Sequence, residues 1–334
     1  MTKKIALVTG GFSGESVISY KSAETIKNNI DPAKWDCYVV DIRPEGWFYT
    51  SAAGVQTDID KNDFSISVNG NKINFDAVLI GLHGTPGEDG KLQGYFDCLK
   101  IPYTSCDAAT SAITFNKRYT VAIAAFAGIQ VARSVHVFKT GGPSAEDILE
   151  ELSLPLFVKP NNGGSSIGMS KVNKPAALEA ALKKAFREDE QVLVEEFIKG
   201  REFTIGVYRS KGEIIALPMT EIISKNDFFD YEAKYEGASE EVTPANASAT
   251  IAEQVKTAAV KIYNLFNCKG IVRIDFIYDD EKQAPYMLEI NTVPGQSAAS
   301  IVPQQVVAAN STLKEFYTSL IEECFPEEYL APTE

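Results

Sequence analysis

The sequence predicts an α/β fold divided into two or three domains. Short β-branched and aromatic runs alternate with helical stretches along the chain, and the opening segment reads strand, glycine-rich turn, helix, strand. With 334 residues, 45% hydrophobic and 23% charged, the composition is that of an ordinary globular protein with material for more than one core. A formal net charge of −13 argues against a general binder of nucleic acid or anionic membrane, because a polyanion needs a basic surface. Any phosphate site must be local. The first apolar run, Ile5 to Val8, is too short for the core of a signal peptide and no run is long enough to cross a bilayer, so a cytoplasmic protein is expected. Five scattered cysteines without a CxxC pair suggest neither a disulfide framework nor a zinc site, and two histidines leave little material for a histidine-based metal centre or triad.

Lys4 to Thr9 reads as the first strand, Gly10-Gly11-Phe12-Ser13-Gly14 as the turn, Ser16 to Asn29 as the helix and Cys37 to Asp41 as the second strand. Such a turn can offer backbone N–H groups to an anion and Asp41 can hold a ribose, but the spacing is not GxGxxG. A tight turn that brings small-molecule groups to the helix N-terminus is the preferred reading. Asn69-Gly70 centres a hairpin between Phe64 and Phe75. The apolar strand Ala77 to Leu82 ends at His83-Gly84-Thr85-Pro86-Gly87-Glu88-Asp89-Gly90, where open α/β sheets place ligands. His83 is either a structural, hydrogen-bonded residue or a site residue; Glu88-Asp89 either belong to the site or favour the N-terminus of the helix carrying Leu92 to Leu99. Ile101 to Thr104 is expected to be the last strand of the first domain, which ends near Ser105.

Asp107 to Ala127 is expected to form one helix, carrying Lys117 and closed by Gly128, and after the strand Val135 to Phe138, Ser144 caps a helix to Leu152. The strand Leu156 to Lys159 runs into Pro160-Asn161-Asn162-Gly163-Gly164-Ser165-Ser166-Ile167-Gly168. This loop lacks GxxxxGK[ST] and precedes a strand, so it is not a Walker loop. Either it closes over phosphates with its N–H groups and hydroxyls or it is a plain hairpin, and Lys159 at its base favours phosphate. A helix from Pro175 to Phe186, strands at Val192 to Phe197, Phe203 to Tyr208 and Glu213 to Leu217, and a helix from Ala249 to Phe266 follow. Glu195, Glu196 and Glu202 mark strand ends that either take an adenine and its ribose or are simply solvated, as acidic strand ends usually are. Ser224 to Ala247 has little periodicity and is expected to be a lid or functional loop.

The strongest chemical signal is the hairpin Ile271 to Tyr278, Asp279-Asp280, Tyr286 to Asn291. Alternation places Arg273 and Asp275 on one face of its first strand, and Glu289 and Asn291 on one face of its second. Asp, Glu and Asn supply the hard oxygen ligands that Mg²⁺ takes when substrate phosphates complete its octahedron, and an arginine beside them suits phosphoryl or oxyanion charge. Singly these would be the polar face of a surface hairpin; four together, before the turn Thr292-Val293-Pro294-Gly295, favour a site. Val302 to Ala309 and Leu313 to Cys324 close the chain as helices.

In this order, HGTPGEDGKLQG from His83, KPNNGGSSIG from Lys159, FFDYEAKY from Phe228, RIDF and LEINTVPG resemble the ATP-grasp carboxylate–amine ligases of the D-alanine:D-alanine ligase family, over nearly the whole chain. The resemblance implies an ATP-grasp fold of three α/β domains: a Rossmann-like N-terminal one (1–105), a central one (106–195) and a C-terminal one (196–330), with ATP grasped between the last two. It implies ligation of two D-alanines through an acyl phosphate for peptidoglycan precursor synthesis, using ATP and two Mg²⁺ ions for which Mn²⁺ can substitute. Small molecules would be its partners, without nucleic acid or membrane, and a homodimer is the expected assembly. Residue by residue, Lys117, Lys159 and Ser166 would meet ATP phosphates, Glu195 the adenine and Glu202 the ribose, while Asp275, Glu289 and Asn291 would hold metal. Arg273 and the Gly295 N–H match the oxyanion site, Ser300 and the backbone of Ile301 the anchor for the second substrate, Ser165, Lys234 and Tyr235 the closing loops, and Glu15 and His83 the substrate side of the cleft.

Two departures are expected to matter. The position of the glutamate that receives the first D-alanine's ammonium is assigned to Val17, with Glu15 two residues away as the nearest acid. Ala299 stands where some members carry histidine, and Gln296 replaces a common methionine. Val17 therefore points either to Glu15 reaching that ammonium through a different helix start, to weak donor binding, or to a ligase of a different amino or hydroxy acid pair. A nucleotide-binding paralogue with little turnover is a further reading, opposed by the intact set Arg273, Asp275, Glu289 and Asn291; a dinucleotide-dependent oxidoreductase built on the Gly10 turn is the weakest.

Overall fold

The computed structural model describes residues 2–164, 167–224 and 239–329. Its first sheet contains β1 (Lys3–Gly10), β2 (Trp35–Arg43), β3 (Gly46–Thr50), β4 (Gln56–Asp58) and, after a small hairpin of β5 (Ser65–Val68) and β6 (Asn71–Asn74), β7 (Ala77–Ile80). The strand order is β4-β3-β2-β1-β7, with β1 parallel to both β2 and β7. A central parallel strand is covered on both faces, and alternation along β1 shows it: Ile5 and Leu7 enter one core with Ile26 of α1 (Ser16–Asn29), while Ala6 and Val8 enter another with Phe64 and with Leu92 and Phe96 of α2 (Lys91–Leu99). The strand expected at Ile101 to Thr104 reduces to a single bridge between Val78 and Tyr103. Pro102 has no N–H to give a ladder and contributes only its carbonyl, which accepts from Val78 at 2.9 Å.

The helix expected from Asp107 to Ala127 is two helices, α3 (Ala108–Phe115) and α4 (Lys117–Phe126). Asn116 breaks it: its backbone is extended (φ −95°, ψ 101°) and its side chain accepts from Tyr119 N, capping the second helix. Asparagine gains more as an N-cap than in a helix interior, and the consequence is that Lys117 becomes the first residue of α4 rather than a mid-helix side chain.

The second sheet, order β10-β9-β11-β8, is antiparallel and holds β8 (Ser134–Phe138), β9 (Leu156–Pro160), β10 (Ser170–Val172) and β11 (Gln191–Glu196). Ile148 of α5 (Ala145–Glu151) and Leu178 and Leu182 of α6 (Leu178–Ala185) cover it through Val137, Val158, Val192 and Val194. Ser144 and Asp147 form a reciprocal capping box at the start of α5.

The third sheet runs β15-β14-β12-β16-β17, with β13 also on β12; the strands are β12 (Arg201–Ser210), β13 (Glu213–Ala216), β14 (Thr220–Ser224), β15 (Ser239–Val242), β16 (Val272–Asp279) and β17 (Ala284–Asn291). Val255, Ala259, Ile262 and Tyr263 of α7 (Ala249–Leu265) pack on it with Phe203, Ile205, Ile274 and Phe276, and Ala124 and Ile129 join the same core, so α4 rests on this sheet. After β17 the chain continues into α8 (Ile301–Ala308) and α9 (Leu313–Glu322). Phe316, Tyr317, Leu320 and Ile321 of α9 return to the first sheet and share a core with Ile5, Leu7 and Trp35. Among the described residues no helix is long and apolar enough to cross a membrane.

Candidate active site

β16 and β17 are antiparallel with Arg273 opposite Asn291 and Asp275 opposite Glu289, so the four side chains expected to converge share one face. The register shifts between Asp275 and Phe276, leaving Leu288 as an extra residue on β17, a device that re-aims side chains beside a site. Arg273 grips Asp275 with a fork: Nε donates to Oδ1 and Nη2 to Oδ2, each at 2.9 Å. Asn291 Nδ2 donates to Asp275 Oδ2 at 3.2 Å, and the hydroxyl of Thr204 on β12 donates to Oδ1. Asp275 is only 8% exposed. Burial by itself would lower the Arg273 pKa, but the carboxylates of Asp275, Glu289 and Glu88 override it and hold the guanidinium well above its ordinary value. The arginine is a fixed cation.

Among the described residues no three His, Cys, Asp or Glu side chains form a metal-binding group. Asp275 and Glu289 therefore reach three oxygen ligands only with the Asn291 amide. That donor set suits Mg²⁺, which prefers few carboxylates and takes its remaining oxygens from phosphates and water.

Of the two candidate lysines, Lys117 reaches this face. Lys117 Nζ donates to Gly163 O at 2.8 Å and lies 3.8 Å from Glu289 Oε2, spanning from the glycine-rich loop to β17. Asn161 steadies that bridge: its carbonyl accepts from Lys117 N at 3.1 Å and its side-chain oxygen from Arg118 N at 2.8 Å. Lys159 Nζ lies 2.5 Å from Glu195 Oε2, both side chains largely buried between β9 and β11. Glu202 stands near the start of β12, opposite Ile222 and Ile277. Glu195 and Glu202 thus sit on the second and third sheets respectively. Ser165, Ser166, Lys234 and Tyr235 lie outside the described residues, as does most of the segment Ser224 to Ala247.

A cleft of about 520 Å³ is lined by Ser13, Glu15, Gly84, Asn116, Gly163 and Asp189, among others. Glu15 is central to it. A Cβ on Gly84 would lie 2.6 Å from Glu15 Oε2 and one on Gly164 2.7 Å from Oε1, so the carboxylate fills the space that two glycines leave open. Val17, expected to mark a missing carboxylate, is 58% exposed and does not line the cleft. Residues two apart on a helix do not share a face, and Glu15 rather than Val17 stands on the cleft side, so the side-chain directions do not favour a lost glutamate at Val17.

The alternative in which Glu88 merely favours a helix start also fails. The helix α2 begins at Lys91 with no acid in its first turn, while Glu88 Oε2 accepts from Gly84 N at 2.7 Å and closes the loop on itself. Burial and the nearby Glu15 carboxylate push the Glu88 carboxyl up to about 8. Glu88 therefore answers to Glu15 and Arg273 rather than to the start of α2; the signal for it is its place in HGTPGEDG rather than its distance from α2. Asp41, a possible ribose ligand, is instead bound by Tyr20 Oη at 3.0 Å and Arg43 Nε at 3.1 Å.

His83 takes the structural reading. A carbonyl can only accept, so the 2.7 Å contact with Val293 O places the proton on Nδ1. Gln296 N donates to Ser22 Oγ at 3.0 Å, and the Ser22 hydroxyl then donates to His83 Nε2 at 2.8 Å. The chain Val293 O, His83, Ser22, Gln296 N clamps the turn around Pro294-Gly295 from both ends, and Tyr317 Oη holds the Gln296 side chain at 3.2 Å. Neither ring nitrogen is left for substrate. Burial lowers the His83 pKa to about 4, with Arg273 adding to the effect, so the ring is neutral. Sequence reasoning misses Ser22, because a serine inside a helix carries no signal of a long-range bond.

Past the clamp, Gly295 lies against Ser300: a Cβ there would be 2.8 Å from Ser300 Oγ. Ser300 precedes α8 without capping it through its side chain; its hydroxyl meets Ser297 Oγ at 2.7 Å, and Ile301 opens the helix.

A family model described as D-ala D-ala ligase N-terminus matches residues 4–106, and one described as D-ala D-ala ligase C-terminus matches residues 117–322. The chain is 44% identical to the D-alanine–D-alanine ligase of Parabacteroides distasonis, covering 97% of this chain and 98% of that one. It is 46% identical to that of Azobacteroides pseudotrichonymphae, covering 96% and 99%. Among solved structures it resembles the VanG D-Ala:D-Ser ligase from Enterococcus faecalis, with a TM-score of 0.87 and 30% identity over 97% of this chain and 100% of that one. The D-alanyl-alanine synthetase A from Vibrio cholerae gives a TM-score of 0.86 at 28% identity, covering 97% and 98%.

Proposed function

The chain belongs to the D-alanine–D-alanine ligase family, and from that premise we propose that it joins two D-alanine molecules at the expense of ATP, for peptidoglycan precursor synthesis. The observation that carries the reading is the Arg273–Asp275 fork facing Glu289 and Asn291, beside the clamped Gly295 turn. The first D-alanine's carboxylate attacks the γ-phosphate of ATP, expelling ADP and leaving an acyl phosphate. The second D-alanine's amine attacks that carbonyl, and the tetrahedral species collapses with loss of phosphate and a proton. Both steps gather negative charge where Arg273 and the Gly295 N–H can meet it, and donors held in place before the reaction need no reorganisation during it.

Lys117 and Lys159 hold phosphates, Glu195 the adenine and Glu202 the ribose, with ATP between units 106–195 and 196–330 and the unit 1–105 carrying Glu15. Two Mg²⁺ ions, replaceable by Mn²⁺, would be held by Asp275, Glu289 and Asn291 and supply neutralisation of phosphate charge. Glu15 receives the first D-alanine's ammonium, and Ser300 with the N–H of Ile301 the second's carboxylate. Ser165, Ser166, Lys234 and Tyr235 complete the nucleotide and substrate side. His83 contributes by holding the Gly295 turn, not by touching substrate. The protein works in the cytoplasm as a homodimer. Phosphate release from Mg·ATP, measured with and without D-alanine, tests the reading: no stimulation by D-alanine would contradict it.

A further inference from the structure

Gln305, on α8, is completely buried and lies where β12 changes partner. β12 pairs with β14 from Glu202 to Thr204 and with β13 from Val207 to Ser210, which leaves a step at Ile205 and Gly206. Gln305 fills it: Gly206 N donates to Oε1 at 2.8 Å, and Nε2 donates to Thr204 O and to Thr220 Oγ1, each at 3.0 Å. Both N–H bonds of the amide are spent on the sheet. The preceding residue, Gln304, donates to Ala299 O at 2.9 Å and to Glu241 Oε2 at 3.3 Å, so the chain just before Ser300 is tied down as well.

A buried amide has to recover its desolvation through its bonds, and an apolar side chain of the same length would escape that cost only by leaving the Gly206 N–H and the Thr204 carbonyl without this partner. What the amide adds is placement. Thr204, whose carbonyl it holds, donates its hydroxyl to Asp275, and α8, on which it sits, begins directly after Ser300. We propose that Gln305 is a positioning residue that keeps α8, and with it Ser300 and Ile301, in fixed relation to Thr204 and Asp275. The second substrate's anchor and the metal-facing strand are thereby held at one spacing. This rests on the roles proposed above for Ser300, Ile301 and Asp275. A misplacement of about 1 Å at such a distance from the chemistry can cost ~100-fold in rate, which is why a single amide matters.

The test is Gln305→Met, which keeps length and removes the bonds, with Thr204→Val as the partner that loses only the link to Asp275. Initial rates are measured against D-alanine, ATP and Mg²⁺. Gln305→Met is expected to raise the KM for D-alanine at the second site about tenfold or more and to raise the Mg²⁺ needed for half-maximal rate, with the KM for ATP within about threefold of the parent. Thr204→Val is expected to move the Mg²⁺ requirement and leave the second-site KM within about threefold. Hydrogen exchange over the β12 segment containing Gly206, measured without substrates, should quicken in Gln305→Met. Should that variant fail to fold, Gln305→Glu, whose buried carboxyl is held neutral and so still accepts from Gly206 N–H while keeping one donor in place of two, should shift the same constants in the same directions by less. A lowered Tm with an unchanged KM for the second D-alanine and an unchanged Mg²⁺ requirement would overturn the proposal. Parent enzyme without D-alanine-dependent turnover would refute the functional reading instead. Gln305 is then judged by exchange at Gly206 and by Mn²⁺ affinity in the presence of ATP, and no change in either would overturn it.

Discussion

Replacing Glu15 with glutamine should weaken first-site D-alanine binding, and replacing Val17 with glutamate should not strengthen it. Glu15 fills the gap between Gly84 and Gly164 in the cleft, and its charge is one of the causes that raise Glu88. Removing one partner of a buried, hydrogen-bonded charge pair costs about 2–5 kcal/mol, and in an open cleft the lower end applies, about 30-fold in KM. The same substitution removes the repulsion on Glu88, whose carboxyl should then titrate below its present value of about 8 and become an anion near the vacated charge. The defect should therefore be largest near pH 6 and shrink towards pH 9. Val17→Glu, at an exposed position, should leave KM within about twofold and stability within about 0.5 kcal/mol. Steady-state rates at varied D-alanine, at several pH values, decide the matter. A Glu15→Gln enzyme with normal KM, together with a Val17→Glu enzyme of lowered KM, would refute the assignment of the ammonium site.

Arg273→Lys keeps the charge but loses the fork to Asp275, so kcat should fall by about 10²–10³; a rate within threefold of the parent in the phosphate-release assay would make the guanidinium a generic counterion. Glu289→Gln should cut turnover at saturating Mg²⁺ far more than it lowers Tm, and equal rates would remove Glu289 from the metal set. For His83 the sign follows from its depressed pKa. The folded protein binds fewer protons than the unfolded chain between about pH 6.5 and 4, so the contribution is complete above that window and is lost as the pH falls through it, about 3 kcal/mol in all. Urea denaturation should therefore show the stability gap between parent and His83→Gln narrowing from pH 7.5 to pH 4.5, and a gap independent of pH would contradict the neutral clamp.

Much of the fold is legible in the sequence because its signals are local. The periodicity of Ser16 to Asn29, the turn at Asn69-Gly70 and the alternation across Arg273, Asp275, Glu289 and Asn291 all act within one element or one hairpin, and the structure has each where the pattern puts it. Pattern and structure part where a short-range competitor wins. Asn116 stops a helix that its neighbours would continue, and Pro102 prevents a strand that Ile101 and Tyr103 would support. β3 and β4 escape the pattern although Trp47, Phe48 and Tyr49 are strand formers, since a strand of 5 residues next to one of 3 gives little periodicity to count. At the site, residue types are readable and their directions are not. Which of Glu15 and Val17 faces the cleft depends on how α1 leaves the Gly10 turn, and the bonds of Ser22, Thr204 and Gln305 reach across 61 to 274 positions, which no sequence window spans.

The most direct measurement is the product balance with Mg·ATP and single amino acids: ADP, phosphate and dipeptide quantified together for D-alanine, L-alanine, D-serine and D-lactate. Ligation of two D-alanines predicts ADP, phosphate and D-alanyl-D-alanine formed one for one, with no dipeptide from L-alanine. ATP turnover that ignores D-alanine, or a mixed product preferred over D-alanyl-D-alanine when D-serine or D-lactate is supplied with D-alanine, would contradict it.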